Sequence, residues 1–496
     1  MFKLCINNFK IDNKTFDEII ASNDYVRFHV AFVDYYFEII EYEPEPYETG
    51  RPSYDDKEMF KLVSYAYSQG ITSSVTIEEY ARYHLIYRFA SNGIAPSQAT
   101  IRKFIREKGY LFKPMMGCSL IFAQDLGLTK FEYLAIDGTI KKSNNNKYNV
   151  MDKKTINTLI SYYSGKVLPK KKIKKLPRPG IKFIERTDMN DEDKLELLHQ
   201  MKTQLKLSGQ NTVPVNDIEA RWMLNKKGNK EPSFNIQTAV DTMAKLICAV
   251  QVSQNATDHY LLPDIVEEAI KNTEIEPEYI SADTGYHTKT SMEYLQNKEI
   301  KGLIPTRKQT RKSRKKLSEN PFHKDHFKYD YDRDLFICPN KQELPFYKEI
   351  LKYKDNEEEP YKVERRYMNY YACKDCKDQD KCHKSTARQI TEFTTLECIE
   401  IRELMDSEEG KELYKQRGST VEAPFGTLKV KYNIDNMPIT GREHIENILS
   451  LFALTYNLKR IYNILHDINT KSDDIDVFVE TMEILLNLDC TIKEVI

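Results

Sequence analysis

The sequence predicts an α/β protein, a mixed sheet with helices packed on it, preceded by an all-α region and interrupted by a small cysteine-rich insertion. Three observations carry this. Met59, Leu62, Val63, Ala66 and Tyr67 follow the i, i+3, i+4, i+7, i+8 spacing of a helix. After about Thr129 the pattern turns to short apolar runs with period two, then to alternating strand and helix signals. Four cysteines gather between positions 338 and 382 in a lysine-rich stretch.

In chain order, the helix from about Arg51 is followed by a second over about Thr76–Phe89. The turn Ser91–Asn92–Gly93–Ile94–Ala95–Pro96 leads to Ser97, a good N-cap, and a third helix carrying Ile101, Phe104 and Ile105. Its outer face shows Arg102, Lys103, Arg106 and Lys108, which suits a helix-turn-helix type module or, equally, a solvated basic face. Phe131–Ile136 reads as a strand ending in Asp137–Gly138, and Ser233–Val240 and Ala244–Val252 as two more. A helix over Leu261–Ile270, a strand over Glu278–Ala282, a helix over Ser291–Gln296 and a strand from Gly302 complete the alternation. The expected boundaries are 1–128 for the helical region, 129–305 with 411–465 for the α/β block, 306–410 for the basic, cysteine-bearing insertion, and 466–496 for an acidic tail.

With 496 residues the chain is too long for one ordinary domain core. Its 74 Lys+Arg and 75 Asp+Glu leave a net charge of −1, which excludes a histone-like basic protein and an acidic disordered chain. The charge is nevertheless uneven. Residues 164–188 hold nine Lys/Arg against two acids, and residues 301–330 hold ten against three, with Lys312, Arg314, Lys315 and Lys316 at the centre of the second run. One such run is usually a solvated segment, but two beside one sheet suit a polyanion, because each cation can neutralise a phosphate. The longest apolar stretch, Ile448–Leu458, includes Ser450, Thr455 and Asn457 and falls short of the ~18 residues of a membrane span. The start, MFKLCINNFKIDNK, turns polar after five residues and offers no signal-peptide core. The expectation is a soluble, cytoplasmic, nucleoid-associated protein.

Asp137 and Asp283 share a design: each follows an apolar strand (YLAI and YISA) and precedes a glycine by one or two residues. A carboxylate at a strand's end projects into the crevice where ligands bind, although an Asp-Gly there is more often simply a turn. Paired aspartates with a third carboxylate are what Mg²⁺ requires, since hard cations take oxygen ligands. The third candidate is Glu422, in YKQRGSTVEAPFGTLK, where Ser419-x-x-Glu422 also matches a capping box with Pro424 in the first turn. Glu422 and Lys429 are seven residues apart and share a helix face, with Tyr414 and Arg417 upstream.

Taken together these segments resemble the DDE-type transposases of bacterial insertion sequences, in the subgroup with a helical N-terminal domain and a cysteine-containing insertion before the glutamate. The resemblance rests on an ordered set: Gly50–Phe104, Leu134–Ser143, Asp217–Arg221 (DIEAR), Phe234–Asp241, Ala282–Tyr286 (ADTGY), Tyr414–Lys429 and Asn457–Arg460 (NLKR). It implies an RNase H-like catalytic domain, a DNA-binding N-terminal region and a metal-binding triad of Asp137, Asp283 and Glu422. It implies Mg²⁺, with Mn²⁺ able to substitute, and a Tyr-Arg-Glu-Lys signature of Tyr414, Arg417, Glu422 and Lys429. The implied activity is cleavage at element ends and strand transfer by two-metal phosphoryl displacement. The implied partners are the terminal inverted repeats and target DNA, bound by a homodimer. Four residues separate Arg417 from Glu422 where the wider family more often has three. A nuclease that cuts without joining and a non-catalytic DNA-binding derivative are the other expectations.

Cys338, Cys373, Cys376 and Cys382 are candidate ligands for a structural Zn²⁺, in a zinc-ribbon-like region with His383 as a substitute fourth ligand. The five-residue gap between Cys376 and Cys382 is longer than the common two to four. The lone Trp222 suits core packing better than base stacking.

Overall fold

The computed structural model describes residues 10–11, 14–40, 42–43, 52–165, 173–225, 228–306, 320–352, 362–392, 396–432, 434 and 439–471. Lys312, Arg314, Lys315, Lys316 and the acidic tail beyond 471 lie outside them.

The N-terminal part is helical. Helix α1 (Tyr25–Ile39) buries Phe28, Phe32, Val33 and Tyr36 against α2 (Asp56–Ser68), whose N-cap Asp55 accepts from the amides of Lys57 and Glu58. The helix expected over 76–89 is two helices, α3 (Ser74–Tyr83) and α4 (Leu85–Ala90), because His84 between them takes an extended backbone conformation. Helix α5 (Gln98–Glu107) starts at Ser97 as its spacing predicts, with the serine hydroxyl accepting from Thr100 N. Helix α6 (Phe112–Asp125) is apolar on most sides and buried among the rest.

The main sheet follows. Strand β1 (Tyr133–Lys142) runs on past Asp137 and Gly138, where the sequence suggested an end, because Thr139 to Lys142 continue to pair with the next strand. An excursion then carries α7 (Lys153–Tyr163) and α8 (Asp191–Ser208), which close a small core of Met151, Ile156, Leu159, Phe183, Leu198 and Met201. The basic run 164–188 is thus partly anchored, since Phe183 within it is buried. Strands β2 (Lys230–Asp241) and β3 (Ile247–Ser253) complete an antiparallel meander with β1. After α9 (Leu262–Thr273), β4 (Tyr279–Ser281) pairs parallel to β1, and after α10 (Lys289–Asn297), β5 (Lys301–Leu303) pairs parallel to β4. The order β3-β2-β1-β4-β5, with Arg221–Leu224 adding a sixth strand antiparallel to the start of β2, is a mixed sheet, consistent with an RNase H-like DDE domain.

Residues 328–392 form a separate five-stranded antiparallel sheet, with a core of Phe327, Phe336, Leu344, Tyr367 and Ile390. The chain then returns through α11 (Leu396–Asp406), α12 (Glu408–Val430) and α13 (Arg442–Lys471). Helix α13 ties the two regions together. Its buried Asn457 brackets β3 by accepting from Ile247 N at 2.8 Å and donating to Ile247 O at 3.0 Å, while Arg460 donates to Ala244 O at 3.0 Å. Its apolar side shares one core with α1, α2, α6 and the sheet. No helix among the described residues is long and apolar enough to cross a membrane.

Candidate active site

The register of the sheet places the two aspartates. Tyr133, Leu134 and Ala135 of β1 stand beside Tyr279, Ile280 and Ser281 of β4 in parallel pairing. That pairing stops at Ser281, and Asp283 follows two residues past the end of β4 as Asp137 follows two residues past Ala135 on β1. Both carboxylates bear on the hydroxyls of Tyr286 and Tyr414, which puts them at the same end of the sheet, on the face towards α12. Asp283 also caps a short turn, accepting from Gly285 N at 2.7 Å. Asp137 is paired across that face with Arg417 of α12, at 3.0 Å from Oδ1, and the same guanidinium donates to Ile136 O at 3.2 Å. Tyr414, one turn earlier on α12, lies over Tyr133 and Leu303. Burial raises its hydroxyl pKa, the Arg417 cation lowers it, and the carboxylates of Asp283 and Asp137 add to the rise.

Glu422 is placed differently. The capping box proposed for Ser419 and Glu422 is absent, because α12 starts much earlier, with Ser407 as N-cap accepting from Gly410 N at 2.9 Å. Pro424 stands inside the helix, and the hydroxyls of Ser419 and Thr420 turn back to Gln416 O. Glu422 lies five positions after Arg417 on the α-helix, a rotation of about 140°, whereas the family's commoner step of four positions gives about 40°. Arg417 and Tyr414 therefore face the aspartates, while Glu422 is exposed on another side of the same helix. Lys429 shares Glu422's side of α12, its ammonium 5.9 Å from the Phe425 ring. Among the described residues no three His, Cys, Asp or Glu side chains converge closely enough to hold one ion.

Sequence reasoning missed what lies behind the aspartates. Tyr286 is fully buried, and its hydroxyl donates to Gln237 Oε1. Burial pushes this hydroxyl far above its ordinary range, and the carboxylates of Asp258, Asp137 and Asp283 push the same way. Asp258, in the loop between β3 and α9, accepts from Asn235 Nδ2 and Gln237 Nε2, both at 2.8 Å. One signal was available: SFNIQTAV puts Asn235 and Gln237 at alternate positions of a buried strand, where only a hydrogen-bonded network accommodates amides.

The other resemblance motifs have structural roles. In DIEAR, Asp217 accepts from Gly441 N at 3.2 Å and Glu219 from Arg442 N at 2.7 Å, which closes the N-terminus of α13. Trp222 is half-buried and donates to Thr212 Oγ1 at 2.9 Å. On α5, Arg102, Lys103 and Arg106 are exposed, Lys103 and Arg106 both near Glu107, while Lys108 turns inward to Asp56 at 3.3 Å.

The four cysteines expected to hold Zn²⁺ share one cavity, but they too do not converge into a metal-ligand cluster among the described residues. Cys338, Cys373, Cys376 and Cys382 line a cavity of about 30 Å³, with Asn340 and His383 on the same wall. Gln342 N donates to Cys338 Sγ at 3.3 Å and Asn340 Nδ2 to Cys376 Sγ at 3.4 Å. Burial raises the Cys382 thiol, Arg388 lowers it, and the other three cysteines raise it further. His383 Nδ1 instead meets Ser385 O at 2.8 Å.

A mixed sheet of this order is consistent with the class of RNase H-like DDE domains. Residues 203–458, just over half of the chain, match the family model described as a transposase DDE domain. Residues 14–107 match a second model, described as a transposase domain. The chain belongs to the DDE transposase family. The first match contains Asp283 and Glu422 and begins after Asp137. No curated protein and no solved structure matches the chain.

Proposed function

We propose that the protein is a bacterial insertion-sequence transposase that cuts its element ends and joins the freed 3′ ends to target DNA. The observation that supports it best is that Asp137 on β1 and Asp283 just past the end of β4 lie at one end of the sheet, with Arg417 of α12 paired to Asp137 and Tyr414 near both carboxylates. The donor chemistry fits a divalent ion, as two carboxylates at one end of the sheet offer hard oxygen ligands to Mg²⁺ or Mn²⁺. Such an ion supplies a Lewis acid for in-line displacement at a phosphodiester. Asp137, Asp283 and Glu422 are the proposed ligands. Glu422 reaches this role only if α12 turns about its axis or bulges by one residue between Arg417 and Glu422.

The protein's own groups perform the remaining work. Arg417 holds the Asp137 carboxylate in place and puts a cation where a scissile phosphate needs charge balance. Tyr414 shields that face from water and keeps its proton across the physiological range. Lys429, Arg102, Lys103, Arg106 and the run Lys312–Lys316 are proposed phosphate contacts. The helical N-terminal region recognises the element end, and a homodimer pairs two ends. A Zn²⁺ on Cys338, Cys373, Cys376 and Cys382 has a structural role in this reading, since four thiolates around so small a cavity leave no position open for substrate.

The test is incubation of the protein with Mg²⁺ and a labelled duplex bearing its own element ends. Joined products are the expected result. Cut but unjoined ends would make it a nuclease, and bound, intact duplex would make it a non-catalytic DNA-binding protein.

A further inference from the structure

Behind the two aspartates, the buried network on β2 meets both glycines that follow them. A Cβ added at Gly138 would lie 2.5 Å from Gln237 Nε2, 2.9 Å from Asp258 Oδ1 and 3.1 Å from the Tyr286 hydroxyl. One added at Gly285 would lie 2.9 Å from Asp283 Oδ1 and 3.6 Å from Asp258 Oδ2. The first is a collision with two hydrogen-bonded groups, so Gly138 is required for the close approach of β1 to this network. Asp258 thus spans the two segments, with Oδ1 against Gly138 and Oδ2 towards Gly285.

The carboxylate is held on its far side. Oδ1 takes both amides, Asn235 Nδ2 and Gln237 Nε2, and Gln237 also donates to Asn235 Oδ1 at 2.9 Å. Gln237 Oε1 takes the Tyr286 hydroxyl, and Tyr286 belongs to the same short turn that Asp283 caps. Asn235, Gln237 and Tyr286 are all essentially inaccessible to solvent. A closed network of this kind has one satisfied arrangement, and breaking any member leaves buried polar groups unpaired.

We propose that Asp258 is a positioning residue: it locks β1 at Gly138 and the Asp283 turn at Gly285 into one frame, and so sets the affinity of the Asp137–Asp283 pair for a divalent ion. This rests on the catalytic reading of that pair. Outer groups that orient metal ligands are typically worth ten- to a hundredfold in metal affinity. The role lies in the acceptor oxygen by which β2 holds this side chain between the two segments, so an amide in its place retains most of the function.

The experiment measures Mn²⁺ binding to the full chain by electron paramagnetic resonance, with DNA binding in chelator and melting temperature in parallel. Asp258→Ala should weaken Mn²⁺ about tenfold while DNA binding in chelator stays unchanged. Asp258→Asn, whose carbonyl accepts both amides, should bind Mn²⁺ within about threefold of wild type, which a purely destabilising effect of any substitution there would not reproduce. Gly138→Ala should match Asp258→Ala, because the new methyl drives the carboxylate off its partners. Wild-type Mn²⁺ affinity in Asp258→Ala would overturn the proposal, as would Asp258→Asn proving as weak as Asp258→Ala. Failure of the wild-type protein to bind Mn²⁺ would instead remove the catalytic reading beneath it.

Discussion

The two groups of candidate metal ligands in this chain are built in opposite ways. The cysteines line one cavity of about 30 Å³, one from each of two short helical turns, one from the loop between those turns and one just past the end of a strand. The carboxylates are spread: Asp137 stands on β1, Asp283 caps the turn after β4, Asp137 is paired with Arg417, and Glu422 is exposed on another side of α12. Under the proposed function, the difference would follow from what each kind of site does. A structural ion is bound once and enclosed, so its ligands sit together in a small pocket. A phosphoryl-transfer centre must admit DNA and keep positions open, so part of its ligand set stands on an element that can move.

The sharpest way to break this comparison is Glu422→Gln. If α12 brings Glu422 to the aspartates during catalysis, cleavage and joining fall to background, as with Asp137→Asn and Asp283→Asn. The three losses should not add, because ligands of one centre act as a unit. Melting temperature and DNA binding should hardly change, since substitutions at an exposed helix position are usually within ±0.5 kcal/mol. Wild-type cleavage by Glu422→Gln would leave the third ligand elsewhere, with Glu443 and Glu446 on α13 the next to examine. Glu446 is the weaker of these two, because it already accepts from Val252 N at 3.1 Å and pairs with Lys113 at 3.2 Å.

The cysteine site gives the next effect. Metal analysis of protein purified without chelator should find about one Zn²⁺ per chain, and Cys373→Ser should lose it. Protease digestion of that variant should then cut first within 320–392. Full zinc retention by Cys338→Ser alone would transfer the fourth position to His383, whose ring would have to leave Ser385 O. Protein purified without any zinc would end the structural-metal reading.

The basic segments should respond more weakly and without sequence preference. Neutralising Lys312, Arg314, Lys315 and Lys316 should lower affinity for any duplex, and should reduce the slope of log K against log salt by about one unit per lost phosphate contact. The same measurement on an Arg102, Lys103 and Arg106 triple alanine variant separates a docking helix from a solvated face. An unchanged slope would mean a solvated surface in either case.

Much of the main sheet was legible because it is buried on both sides, so its strands read as apolar runs broken by turns. The start of α5 was legible from Ser97 alone, a local cap that no tertiary contact overrides. Beyond that, local signals misled where distant contacts decide. The break at His84 leaves no breaker residue in the sequence, and β1 continues past Asp137–Gly138 because β2 supplies partners out to Ser233. The apparent capping box at Ser419 failed for the same reason, as α12 is already about three turns long where its serine occurs. Asp258 was invisible, because its partners lie 21 and 23 residues away on β2 and no periodicity marks the loop that holds it.

The smallest expected effect concerns a carboxylate that belongs to neither centre and so calibrates both. Asp217 is 2% exposed; Gly441 N donates to its Oδ1, and its Oδ2 has no hydrogen-bond partner among the described residues. Burial raises its pKa from 3.8 to about 6, against the opposing influence of the Gly441 amide and Lys141. A folded-state pKa above the unfolded one means that the folded protein binds the extra proton between about pH 4 and 6. Stability is therefore lost as pH rises through that window, and the full cost stands at pH 7. Two pKa units correspond to roughly 3 kcal/mol. Asp217→Asn carries no such charge, and its carbonyl still accepts from Gly441 N, although its amide adds a fixed, pH-independent cost. The readout is thus the change with pH: between pH 4 and 7 the variant should gain up to about 3 kcal/mol on wild type in urea unfolding. A constant difference across that range would mean that Asp217 titrates normally, with solvent or a cation reaching its second oxygen.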